Sequence, residues 1–275
     1  MEISVSTYHY KPKVDRKERA ITEAAICDMI EKIRLVHHVS GYRTLMPYLR
    51  REGLFIGETR LRRIMRENSL QAKVKRAFTR TTNSNHGYRY FPNLIRGKEV
   101  KDINEVWVAD ITYIRVLTGF IYLAAILDLY SRKIVGWALS KNIDADLCMD
   151  ALQMAIARRK PPMGVIHHSD RGVQYLCHKY VGLLTEAGFV ISNSARGNPY
   201  ENAFIESFNK TLKTNEVYLA HYDSMAQVFE DVPKFIEEVY NEKRVHSGID
   251  YKTPNEFERS LENGSNIDRY VLKLW

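Results

Sequence analysis

Three carboxylates stand where a folded chain has reason to avoid them. Asp110 interrupts the run Val106 to Val116, whose β-branched and aromatic residues read as a strand. A charge buried in mid-strand costs several kcal/mol unless it is paired or bound to a metal. Asp170 directly follows the short apolar run Val165 to Ser169, a second strand signal. Residues at the carboxyl ends of open-sheet strands line ligand crevices. Glu206 lies in a helix predicted over Tyr200–Thr214. On that helix Ile205, Phe208 and Leu212 form a core stripe, while Asn202, Glu206, Lys210 and Lys213 share another. A carboxylate with lysines on one face suits joint binding of a metal and a phosphodiester, and a plain i,i+4 ion pair between Glu206 and Lys210 is the other reading. Three carboxylates without a Cys or His cluster make a hard-oxygen site, which favours Mg²⁺ or Mn²⁺ over zinc. Two such ions about 3.5–4 Å apart can clamp an in-line phosphoryl transfer.

The elements that must position these groups are legible from hydrophobic periodicity. Strand, Leu117-Thr118-Gly119 turn, second strand 120–130 and third strand 134–139 come first. A helix follows over Asp144–Arg159, ended by Pro161-Pro162. The strand 165–169, a helix over Cys177–Ala187 capped by Gly188, and a short strand 189–192 complete the series. Three antiparallel-type strands followed by alternating helices and strands imply a mixed α/β sheet. A hairpin centred on Leu117-Thr118-Gly119 would put Asp128 diagonally across from Asp110 on the same face. Asp128 is expected to pair with Arg132 or a turn amide. His168, two residues before Asp170, points the same way in an extended strand and is expected to support that aspartate through a hydrogen bond. Thr253-Pro254-Asn255-Glu256 is a capping box that starts a helix.

The first hundred residues differ in kind. They hold 21 basic and 10 acidic residues, against 20 and 23 in the remainder, so the formal charge of +8 is concentrated at one end. Such segregation points toward a polyanion, because Lys/Arg neutralisation and counterion release drive polyphosphate binding. Helices are expected over residues 15–37, Tyr42–Glu52 (with Pro47 kinking it or shifting its start) and Glu58 to about Asn68. The third helix carries Leu61, Ile64 and Met65 on one side and Thr59, Arg60, Arg62, Arg63 and Arg66 on the other. A short helix, a turn and an arginine-rich helix match a helix-turn-helix unit, whose second helix enters the major groove. Residues 71–104 are basic, polar and poor in aliphatics, and read as a linker over a surface or over DNA. The expected division is 1–70 helical and DNA-binding, 71–104 linker, 105–260 sheet domain, and 261–275 a tail without an interpretable motif.

Composition removes other classes. With 45% apolar and 27% charged residues, the 275-residue chain is ordinary for a globular protein of about two domains. The longest apolar run, Phe120–Leu127, is too short to span a membrane, and the first residues lack a signal core, so a cytoplasmic location is expected. Cys27, Cys148 and Cys177 are odd in number and far apart, which fits a reducing compartment.

Jointly these features carry a resemblance. Asp110 and Asp170 are separated by 59 residues, and Asp170 and Glu206 by 35. The arrangement resembles the catalytic core of retroviral integrases and many bacterial transposases, with a ribonuclease-H-like fold. The strings WVADITYI, LDLYSRKIVGW, HHSDRGVQY, GNPYENAFIESFNKTLK and YNEKRVHSGIDYKTPNEF resemble the second-frame product of insertion-sequence family three. GYRTLMPYLRREG and the arginine-rich helix resemble that family's helix-turn-helix segment. The resemblance implies an α/β, ribonuclease-H-like mixed sheet with flanking helices, preceded by a small all-α region. It implies a DNA transposase in which Asp110, Asp170 and Glu206 hold Mg²⁺ or Mn²⁺, with two ions expected, and Lys213 contacts the element end. Lys210, Arg43, Arg60, Arg62 and Arg63 are the further expected DNA contacts. Implied partners are terminal inverted repeats and target DNA, a second copy of the chain, and an upstream-frame product as a fusion; association with the nucleoid follows. A DNA-binding regulator with an inert core, or a nuclease cutting RNA–DNA hybrids, are the alternatives.

Overall fold

The computed structural model describes residues 16–38, 40–72, 87–117, 119–195, 202–263 and 271–274, with the backbone alone for 16–20. The chain divides into two compact units, residues 1–74 and 75–275.

In the first unit, three helices, α1 (Arg16–Arg34), α2 (Tyr42–Arg51) and α3 (Glu58–Glu67), pack around Ile26, Ile30, Leu45, Leu49, Leu61 and Ile64. The apolar stripes read from the sequence supply that core. α2 starts at its Gly41 cap and carries Pro47 in its interior, so the proline does not shift its start. It ends in a Schellman motif. The Leu54 N–H bonds the Leu49 carbonyl, the Gly53 N–H bonds Arg50, and Gly53 takes the left-handed φ of +80° that glycine tolerates.

In the second unit, five strands form one sheet: β1 (Val106–Val116), β2 (Gly119–Asp128), β3 (Ile134–Ser140), β4 (Ile166–Ser169) and β5 (Val190–Asn193). Their order is β3-β2-β1-β4-β5, with the first three antiparallel and the last two added parallel to β1. The parallel additions require crossovers. α4 (Ala145–Arg159) and α5 (His178–Glu186) provide them. The Asp144 side chain caps α4 by accepting from the Leu147 N–H. α4 lies so close to β3 that a Cβ on Gly136 would sit 2.3 Å from the Ala151 carbonyl oxygen. One sheet face buries Trp107, Ala109, Ala124 and Ile126 with α4 and α5. The other buries Val106, Val108, Leu123 and Leu127 with α6 (Ala203–Leu212), α7 (Met225–Lys234) and α8 (Pro254–Glu262). α6 passes into a π-helical turn, Lys213–Val217, and α7, with Pro233 inside it, into another, Phe235–Asn241. The Thr253 capping box opens α8 as expected.

One sequence expectation changes, and two segments outside the expected 105–260 bounds meet the sheet. The hairpin closes on the pair Val116–Gly119, placing Asp110 opposite Ala125 and Asp128 opposite Trp107. Asp128 therefore lies on the other face from Asp110, because side chains alternate along a strand. The second half of the segment read as a linker is fastened to the sheet. The Phe91 N–H donates to Asn193 Oδ1 (3.0 Å), the Leu94 N–H to Ser192 Oγ (2.9 Å), and Ile95 and Val100 are buried. The tail also joins the core. Leu272 and Leu274 are buried, and Leu272–Lys273 pairs with Glu99–Val100.

Candidate active site

Asp110 and Asp170 come together because β4 lies alongside β1. The ladder pairs Ala109 with Ser169, so the next residue of each strand is an aspartate. Both carboxylates line one cleft, with Ile143, Gly172, Gln174 and Tyr175 around them. Asp110 Oδ2 accepts a 2.8 Å hydrogen bond from the Asn209 side-chain amide. Burial pushes its carboxyl up to about 8, and the neighbouring Asp170 and Glu206 charges push the same way against hydrogen bonds from the Ile111 N–H and Asn209. Asp170 Oδ1 accepts from the Gly172 N–H at 2.8 Å, which fixes its rotamer. A Cβ on Gly172 would sit 2.9 Å from that oxygen.

Glu206 stands in the first turn of α6, exposed, with its carboxyl raised by partial burial. Its charge is felt at Asp110. No Glu206–Lys210 ion pair forms among the described residues, so the i,i+4 reading fails. Nor do any three His, Cys, Asp or Glu side chains among the described residues close into a metal shell; the third carboxylate stands beside the other two without converging on them. Lys213 does face this region. Its ammonium lies 4.2 Å from the Tyr113 ring centroid, lowered by burial while Asp110 pulls it back up. Lys210 is exposed.

The remaining expected residues divide. His168 is fully buried and its Nδ1 bonds Ser192 Oγ at 2.8 Å, so it ties β4 to β5. Asp128 accepts from the Asn104, Tyr130 and Ser131 N–H groups and from Ser131 Oγ. Its neighbouring arginine is Arg159 at 3.8 Å, while the Arg132 guanidinium lies over Phe204. In the first unit Arg63 bridges Glu23 and Glu67 and so holds α1 to α3. Arg43 and Arg62 lie 5.4 and 5.1 Å from the Tyr42 ring, Arg62 also pairs with Glu58, and Arg60 is exposed.

Two asparagines escaped the sequence reading. Asn209 is buried on the stripe shared with Ile205 and Leu212, and a polar residue on an apolar stripe was the available signal. Asn193 donates to both Ser169 Oγ and the Asp170 carbonyl, each at 3.3 Å. Nothing in its local sequence marks it.

Comparison with known proteins gives consistent matches. An Integrase core domain model matches residues 101–199, another of the same description matches 187–254, and an HTH-like domain model matches 21–78. The transposase for insertion sequence element IS904 of Lactococcus lactis subsp. lactis is 36% identical over 256 residues, covering 91% of this chain and 98% of the relative. Transposase InsF for insertion sequence IS3A of Escherichia coli is 36% identical over 219 residues, covering 79% and 76%. A chain of the simian T-cell lymphotropic virus intasome in complex with PP2A regulatory subunit B56 gamma aligns with a TM-score of 0.50 at 18% identity, covering 84% and 74%. That likeness concerns the fold, and it agrees with a ribonuclease-H-like sheet.

Proposed function

The chain belongs to the insertion-sequence transposases that carry an integrase core, and from that premise we propose that it cuts DNA at the ends of its element and joins them to new DNA, using Asp110, Asp170 and Glu206. The observation that carries this reading is the shared cleft of Asp110 and Asp170, where each charge raises the cost of the other and Glu206 adds a third. Like charges gathered near a buried carboxyl fit a divalent cation, and an all-oxygen donor set selects Mg²⁺ or Mn²⁺. Bound there, two such ions would activate the attacking oxygen and stabilise the leaving one.

The chain's own residues prepare that chemistry. Asn209 and the Gly172 N–H each hold one oxygen of an aspartate, which fixes both carboxylates before DNA arrives. Glu206, exposed and unpaired among the described residues, is the group that turns inward to complete the set. Lys213 supplies a positive charge beside Asp110 for a phosphate. In the first step a water oxygen bonds to phosphorus, the bond to the 3′-oxygen breaks, and a 3′-hydroxyl is freed. In the second that hydroxyl bonds to the phosphorus of another phosphodiester and displaces its 3′-oxygen. Each joining exchanges one phosphodiester for another, so no energy source is consumed. Joining two ends calls for at least two copies of the chain. The helical unit, with Arg60 exposed on α3, supplies DNA binding.

The test is end cutting and joining on a plasmid carrying the element's inverted repeats, in Mg²⁺ and in Mn²⁺. Wild type is expected to cut and join, and Asp110→Asn to bind DNA but do neither. Joining by that variant at the wild-type rate would reject the assignment. DNA binding without cutting by wild type would favour the regulator reading.

A further inference from the structure

The segment 87–96 runs past the candidate centre and is linked to Asp170 twice. Asn193 takes the Phe91 N–H on its oxygen and gives its amide to the Asp170 carbonyl. Arg171, the next residue after Asp170, donates through Nε to the Ser194 carbonyl (2.9 Å), and its guanidinium lies 4.6 Å from the Tyr90 ring centroid. The Phe91 and Leu94 hydrogen bonds already fasten the segment. Tyr90 remains 42% exposed. Arg89, next to it in sequence, and Arg96, six residues on, are exposed as well. An arginine-backed aromatic ring on a basic strip is the equipment of a stacking platform for nucleic-acid bases.

We infer that Tyr90, backed by Arg171, stacks on an unpaired DNA base next to the phosphodiester that reaches Asp110 and Asp170. The inference rests on the DNA-cutting reading given above and adds to it a site for the displaced base. Asp110 lies half-buried in its cleft, and on this inference a strand leaves its duplex to bring a phosphodiester there. The base beside that phosphodiester loses its stacking partners. The Tyr90 ring, joined through Arg171 to the residue after Asp170, replaces them.

The experiment uses the full chain and two duplexes of the same arbitrary sequence, one blunt and one ending in a five-nucleotide unpaired 3′ tail. Binding through the helical unit is common to both and cancels in the ratio. Wild type is expected to prefer the tailed duplex by about tenfold, Tyr90→Phe to keep that preference and Tyr90→Leu to lose it, all three binding the blunt duplex equally. A 4-thiothymine in the tail is expected to crosslink wild type at residues 88–91, a readout that does not depend on the variants folding. Tail preference retained by Tyr90→Leu, no preference in wild type, or crosslinks elsewhere alone would overturn the inference. Metal-dependent cutting of plasmid DNA by the same wild-type preparation separates the two readings. Cutting without tail preference removes only the stacking site, and absence of cutting removes the proposed function.

Discussion

The five-stranded sheet carries two groups of acids, and their surroundings differ. At the turn between β2 and β3, Asp128 accepts four hydrogen bonds from Asn104, Tyr130 and Ser131 and lies beside Arg159. Glu258 there is bound by Arg159 at 2.8 Å and Lys133 at 3.0 Å. Burial alone would raise the Glu258 carboxyl, but the two cations bring it below its ordinary value. At the cleft, Asp110 has Asn209 and one backbone N–H, faces two more carboxylates, and is pushed far up. Burial makes both groups expensive. It raises Asp128 too, against its backbone hydrogen bonds and Arg159, and of these acids only Glu258 is brought below its ordinary value from within the chain. An acid that the fold leaves uncompensated is available to a cation from outside.

The largest expected contrast is catalytic. Asp110→Asn should lower DNA joining about 10³-fold or more in a plasmid assay, while raising the unfolding midpoint of the metal-free protein. Asp128→Asn should do the reverse, losing about 2–3 kcal/mol of stability with joining per folded molecule intact. Arg159→Met should cost about 3–5 kcal/mol in urea denaturation, because it strands Asp128 and Glu258 together. If that variant were neutral, the compensated group would not be compensating.

A pH titration of metal-free stability sharpens the same division. Asp110 has a folded-state value of about 8 against an ordinary 3.8. Its contribution is fully present below the ordinary value and is lost as pH rises toward 8, by a few kcal/mol at most. Glu258 is shifted the other way. Its contribution is present above the ordinary carboxylate range and is lost as pH falls through its lowered value. Asp110→Asn should reduce the first slope, to which the raised Asp128 and Glu206 carboxyls also contribute, and leave the second. The smallest effect is expected from Asn209→Ala, about a tenfold loss in Mn²⁺ affinity measured by calorimetry, since the alanine no longer orients Asp110.

The sequence displays the strands clearly because their β-branched and aromatic runs are bounded by turns, and α4 and α8 because Asp144 and Thr253 cap them. Of the candidate acids, Asp110 was visible as a charge within a strand, Asp170 as one directly after a strand, and Glu206 by its helix stripe shared with lysines. What stayed hidden depended on register and long-range pairing. A one-residue error at the hairpin moved Asp128 across the sheet, since side-chain direction alternates with every residue. His168 points inward to Ser192 instead of to Asp170, a contact fixed by a strand pairing 24 residues away. Arg63 has the composition of a DNA contact but meets Glu23, 40 residues distant. The basic segment 87–96 looked unable to build a core and instead borrows one, by bonding to Ser192 and Asn193.

Crystals grown in Mn²⁺ show, through the anomalous signal of the metal, whether the cleft holds a cation. The account predicts a peak between the Asp110 and Asp170 carboxylates, at coordination distances of about 2.1–2.2 Å, with Glu206 turned toward it in wild type and the peak lost in Asp110→Asn. A cleft without manganese at saturating concentration, or manganese bound there equally well by Asp110→Asn, would contradict it.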